Sequence, residues 1–113
     1  MEITRGDNKT FKFQRKRKDG SIITDLPSKM FVTIKKDYSR FDFVIQKSLE
    51  NKEITYNNTD NFYRFELVPE DTNDLLYGDY VYDIEITENS KVKTISKGKF
   101  TITEEATFES NKQ

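Results

Sequence analysis

Three aspartates, Asp71, Asp74 and Asp79, stand close together ahead of a strand, and clustered carboxylates attract hard cations. Their spacing does not follow a calcium-binding loop, and acids at the start of a helical turn already complement its dipole. Arg5-Gly6-Asp7 spells an adhesion tripeptide, while Asn8-Lys9-Thr10 and Asn57-Asn58-Thr59 fit the glycosylation acceptor pattern. All three need export. No apolar stretch of signal-peptide length follows the charged start Met1-Glu2-Ile3-Thr4-Arg5-Gly6-Asp7, so they read as bends and turns. Arg15-Lys16-Arg17-Lys18 offers cations to a phosphate backbone. The neighbouring Phe11 and Phe13 share one strand face and suit a core, so this basic run reads as a solvated hairpin tip.

For catalysis the chain is poorly equipped. It has no Cys and no His, which removes thiol nucleophiles, the commonest general base and the commonest metal ligand. Carboxylates are plentiful, but no nucleophile, base and orienting group stand in a recognisable order. We expect no enzymatic activity, no cofactor and no metal. The net charge is −1 despite 35% charged residues, which implies no bulk attraction to nucleic acid or to an anionic membrane. No apolar run approaches the ~18–20 residues of a membrane helix, so a soluble protein is expected.

The elements that must carry these residues are strands. One Ala stands against ten Ile, twelve Thr and fifteen Phe or Tyr, an inventory that suits half-buried pleated surfaces. Roughly a quarter of the chain is Leu, Ile, Val or Phe, above the ~20% level where disorder becomes the default. Period-two alternation predicts strands at Ile3, at Phe11 and Phe13, at Met30-Val32-Ile34, and at Phe43-Ile45 closing on Leu49. Further strands fall at Tyr63-Phe65-Leu67, Tyr80-Tyr82-Ile84-Ile86, Val92-Ile95 (whose phase is undefined) and Phe100-Ile102. A Gly-centred turn is expected at Lys18-Asp19-Gly20-Ser21. Pro69 followed by Glu70, Asp71 and Asp74 predicts one helical turn near residues 70–76. The expected fold is all-β: an immunoglobulin-like antiparallel sandwich of seven or eight short strands, one domain over residues 1–108, with a frayed tail from Glu109 to Gln113.

The most specific local signal is Leu76-Tyr77-Gly78-Asp79-Tyr80. A Tyr two residues after Gly and four after Leu, at a strand start, matches the tyrosine corner, in which the phenol hydroxyl bonds upstream backbone. Leu76, Gly78 and Tyr80 are therefore assigned to structure. Tyr82 then takes the slot where antibody domains carry a core Cys.

Charge is segregated along the chain. From Phe65 to Ser90 there are eight acids and no base; from Asn8 to Lys18 there are six bases and no acid. Opposed charged surfaces favour docking on copies of the chain or on neighbours, and equally well keep strand edges solvated. Arg15 and Arg17, with Phe31, Phe41 and Phe62 placed outward by alternation, form the expected interface.

Several pieces carry a resemblance to a known family: Thr4-Arg5-Gly6-Asp7 with Phe11-Lys12-Phe13, Val32-Thr33-Ile34-Lys35-Lys36-Asp37 with Ile45-Gln46-Lys47-Ser48-Leu49, Leu67-Val68-Pro69-Glu70-Asp71-Thr72, Gly78-Asp79-Tyr80-Val81-Tyr82-Asp83-Ile84, and Lys97-Gly98-Lys99-Phe100-Thr101-Ile102-Thr103. Together they resemble the small immunoglobulin-like structural proteins of tailed bacteriophages and prophages, found in tail, baseplate or fibre modules. That resemblance implies a virion component, assembled in the bacterial cytoplasm, whose partners are other virion proteins or copies of itself, with no nucleic acid, membrane or small-molecule ligand. The alternative expectation is a carbohydrate- or surface-binding sandwich module. Its candidate platforms are Phe31, Tyr38, Phe41, Tyr56, Phe62 and Phe108, since the chain has no Trp.

Overall fold

The computed structural model describes residues 1–106; Phe108 and the tail expected from Glu109 lie outside them. Eight strands and one short helix follow in order: β1 (Glu2–Thr4), β2 (Lys9–Phe13), β3 (Lys29–Lys35), β4 (Ile45–Ser48), β5 (Ile54–Asn57), β6 (Phe62–Leu67), α1 (Pro69–Thr72), β7 (Gly78–Glu88) and β8 (Lys91–Thr103). They build two sheets, β1-β8-β7-β3-β4 and β2-β6-β5. The chain is an all-β, immunoglobulin-like sandwich. Every neighbouring pair is antiparallel except β1 with β8, which run parallel.

Alternation determines which side chains fill the space between the sheets. Met30, Val32 and Ile34 of β3 and Tyr80, Ile84 and Ile86 of β7 face Tyr63, Phe65 and Leu67 of β6, with Phe100 and Ile102 of β8 beside them. Phe11 stacks on Phe65 and Phe13 on Tyr63, each with ring centroids 5.3 Å apart. They close the core on the β2 side, and offset aromatic pairs of this kind add ~0.5–1.5 kcal/mol beyond the area they bury.

Three elements differ from the sequence expectation. Val92-Ile95 and Phe100-Ile102 belong to the single strand β8, entered from β7 through Asn89 and Ser90, both at positive φ (54° and 64°). That pair makes a two-residue hairpin turn whose twist matches its strands. Within β8 a bulge at Ile95 puts Ser96 opposite Ile84 and Thr94 opposite Glu85, so the alternation changes phase there. β5 was not expected; Ile54 is buried and Tyr56 packs on Tyr63, but four residues give alternation too little length to register. Phe43, expected inward, is 52% exposed: β4 begins only at Ile45, and Val44 packs on the core in its place.

The helical turn occupies Pro69–Thr72, the first half of the span expected. Asp71 Oδ2 accepts from the Val68 N–H (2.9 Å), satisfying one donor at the helix start. Beyond the turn Tyr80 Oη donates to the Leu76 carbonyl oxygen at 2.8 Å, across a Gly78 held at φ 130°. Burial pushes the Tyr80 phenol pKa up.

Candidate docking surface

The residues with chemical potential are mostly spoken for. Asp71, besides the Val68 N–H, pairs with Lys47 at 3.1 Å. Asp79 accepts from Thr101 Oγ1 (2.8 Å) and sits 3.6 Å from Lys99 Nζ. Among the described residues no group of three or more His, Cys, Asp or Glu is placed to hold a metal ion. In the Arg5-Gly6-Asp7 bend, Arg5 lies over the Tyr77 ring (4.3 Å) and pairs with Glu105. The Gly6 N–H donates to Thr72 Oγ1, a fully buried side chain, at 2.9 Å. An arginine held in this way is not presented to a receptor.

Arg15 requires a correction. Expected on an exposed tip and in an interface, it is 6% exposed. Its guanidinium donates to Glu88 (3.3 and 3.4 Å) and to the Asp25 carbonyl oxygen (3.2 Å). The hairpin itself forms beyond it: Arg17 N–H donates to Ser21 O, Ser21 N–H to Asp19 Oδ1, and the Arg17 side chain folds onto Ile22 O. The basic and acidic stretches, distant in sequence, are thus joined in space. Asp83 of β7 faces Lys97 of β8 in register, Lys47 reaches Asp71, and Arg15 reaches Glu88. At Arg15 the basic stretch meets the acidic one and does not stand apart from it.

The expected aromatic interface also divides. Phe62 lies on the outer face of the β2-β6-β5 sheet, under Lys12 (4.7 Å) and Arg64 (5.8 Å). Phe31 and Phe41 lie on the outer side of the five-stranded sheet. There Phe31, Phe41 and Phe43 line a shallow depression of about 280 Å³ with Thr33, Lys35, Gln46, Asp83 and Glu85. Phe41 is 100% exposed. Sequence reasoning missed Phe43, because an alternating strand was extended through it.

The loop that raises these rings, residues 36–44, is fastened at its base. Tyr38 Oη lies 3.1 Å from both the Tyr82 and Gly98 carbonyl oxygens, where its one hydrogen is shared. Lys35 Nζ donates to the Arg40 carbonyl oxygen (2.9 Å), and Asp37 accepts from both the backbone and hydroxyl of Ser39. The Ser39 hydroxyl bond holds the Asp37 carboxyl below its usual range. Compared with known proteins, the chain matches no family model and no curated protein. Among the described residues, no helix is long and apolar enough to cross a membrane.

The arrangement can bury aromatic area against a second surface and orient it by charge. Lys35, Asp83 and Glu85 line the depression beside the rings. An apolar centre with a polar rim is the anatomy of a protein–protein contact.

Proposed function

We propose that the domain is a non-enzymatic structural module of a phage or prophage particle, in its tail, baseplate or fibre, and that it docks on another particle protein through the Tyr38–Phe43 loop. The observation that carries the reading is Phe41, wholly in water beside Phe43 on a loop that the Tyr38 hydroxyl pins to the β7 and β8 backbone, with Phe31 of β3 next to them. Each such ring gains ~1.5–3 kcal/mol when fully buried, and a loop already fastened loses little further entropy on docking. The sequence resemblance to phage structural domains supplies the context. Sugar binding finds less support: Tyr38, the one exposed aromatic with a hydroxyl in this loop, uses that hydroxyl on backbone.

The test is incorporation into particles. Wild type and Phe41→Ser/Phe43→Ser would be expressed in the bacterium that carries the gene, and purified particles quantified by mass spectrometry. Wild type is expected at fixed copy number, and the double variant, folded by circular dichroism, at least about tenfold depleted. Absence of the wild type from particles, or equal incorporation of both, would reject the proposal. Binding to a glycan array that the double variant abolishes would point to the sugar module.

A further inference from the structure

A second surface, separate from the Tyr38–Phe43 loop, lies along the edge of the five-stranded sheet. β8 pairs with β7 along its whole length, but β1 covers it only at Thr101–Thr103. The first residue extends that cover slightly, Met1 O accepting from Thr101 N–H and the Met1 amine reaching Lys99 O. From Lys91 to Gly98 no strand among the described residues lies on the side away from β7.

The register shows which backbone groups are left over. In an antiparallel pair, alternate residues turn their N–H and C=O away from the partner. Lys99 and Thr101, opposite Val81 and Asp79, bond Met1 and so belong to the outward set. The same alternate positions of β7, namely Asp83, Glu85 and Thr87, lie opposite Lys97, Thr94 and Val92. Those three residues point their backbone donors and acceptors at the open edge.

Beside that edge runs a groove of about 470 Å³ floored by Phe13, Ile23, Ile84 and Ile95, with Lys16 and Lys93 at its rim. Lys16, Lys91 and Lys93 have no ion-pair partner among the described residues; Glu88, opposite Lys91 in register, is taken by Arg15. Lysines and a bulge on an edge discourage indiscriminate pairing, and they would repel a second β8. Neither obstacle meets an acidic strand, and guarding an edge requires no apolar groove beside it.

We infer that the open edge of β8, from Val92 to Gly98, receives an extended acidic segment of another protein as an added strand. Its backbone bonds Val92, Thr94 and Lys97, its acids meet Lys16 and Lys93, and an apolar side chain lies on Ile23 and Ile95. Strand addition of this kind draws affinity from main-chain bonds and selectivity from the groove.

The experiment uses the full chain and a fluorescein-labelled peptide of alternating Glu and Val, about eight residues long, which spans the edge at ~3.3 Å per residue. Fluorescence anisotropy at low salt is expected to show saturable binding that a Lys-Val peptide of equal length does not. Lys16→Glu/Lys93→Glu should weaken it roughly tenfold or more by reversing the rim charge. Thr94→Pro removes one outward N–H and keeps every lysine, so it should abolish binding; in the wild type, amide exchange at Val92, Thr94 and Lys97 should slow when peptide is present. Absence of binding, no loss in the charge-reversed variant, or no slowing of those amides would overturn the inference, as would tighter binding of an oligothymidylate or concentration-dependent pairing of two β8 edges. Phe41→Ser/Phe43→Ser is expected to bind the peptide as the wild type does, so this inference and the docking-loop proposal fail independently.

Discussion

Arg15 and Glu88 form a two-pronged ion pair, Nη1 to Oε2 at 3.3 Å and Nη2 to Oε1 at 3.4 Å, that ties the end of the β2 segment to the end of β7. Its two members are unequally buried, the Arg15 side chain at 5% exposure and Glu88 at 33%. Loss of the carboxylate strands a cation away from water, whereas loss of the guanidinium leaves an acid that solvent still reaches. Breaking a buried pair from one side costs about 3–5 kcal/mol, and the partial exposure here lowers that to roughly 2–4 kcal/mol for Glu88→Ala. Arg15→Met keeps the buried stem and is expected to lose less than half as much. Urea titrations of the two variants check the asymmetry; equal losses would show that the pair is not governed by the burial of Arg15.

Two buried tyrosines make a complementary test of hydroxyl satisfaction. Tyr80 Oη donates to Leu76 O, while Tyr63 Oη is buried with no hydrogen-bond partner among the described residues. Burial pushes the Tyr63 phenol pKa up, and the nearby Arg15 charge opposes that rise without completing a hydrogen bond. Tyr80→Phe should therefore lose about 1 kcal/mol, the usual net worth of such a bond. Tyr63→Phe deletes an unsatisfied group and should be neutral or stabilising by up to ~1 kcal/mol. A lowered denaturant midpoint for Tyr80→Phe beside an unchanged or raised one for Tyr63→Phe is the expected result.

Wherever one pattern persisted over a strand, the fold was legible in the residues. Tyr63-Phe65-Leu67 and Met30-Val32-Ile34 alternate without interruption and lie in the core. Legibility failed where backbone geometry broke the period. The bulge at Ile95 shifts the phase of β8, and the late start of β4 turns Phe43 outward, which hid one of the three phenylalanines of the docking surface. Charge misled for a different reason. Arg15 belongs to a basic run in sequence, and nothing local reveals that Glu88, seventy-three positions away, closes over it. Partners at that separation are set by topology, which a linear charge pattern does not encode.

The Asp60 carboxylate, in the turn between β5 and β6, accepts two hydrogen bonds from Arg64 and one from the Phe62 N–H (3.0 Å). The Arg64 hydrogen bonds, then the Phe62 bond, draw its pKa from 3.8 down to about 2, with smaller help from the charges of Arg64 and Lys12. A depressed carboxylate contributes stability that is fully present above its unfolded pKa and fades as pH falls through the folded value. For Asp60 that window runs from 3.8 down to about 2. Carboxyl-detected NMR titration should place its midpoint near the lower limit. Because short-range bonds dominate, about 1 M salt, which shortens screening to roughly 3 Å, should leave most of the depression intact. Arg64→Met should return the midpoint most of the way to 3.8, the Phe62 bond and Lys12 holding the remainder. A midpoint that rises with salt as far as it does in Arg64→Met would mean that general charge, and not the paired hydrogen bonds, sets this pKa.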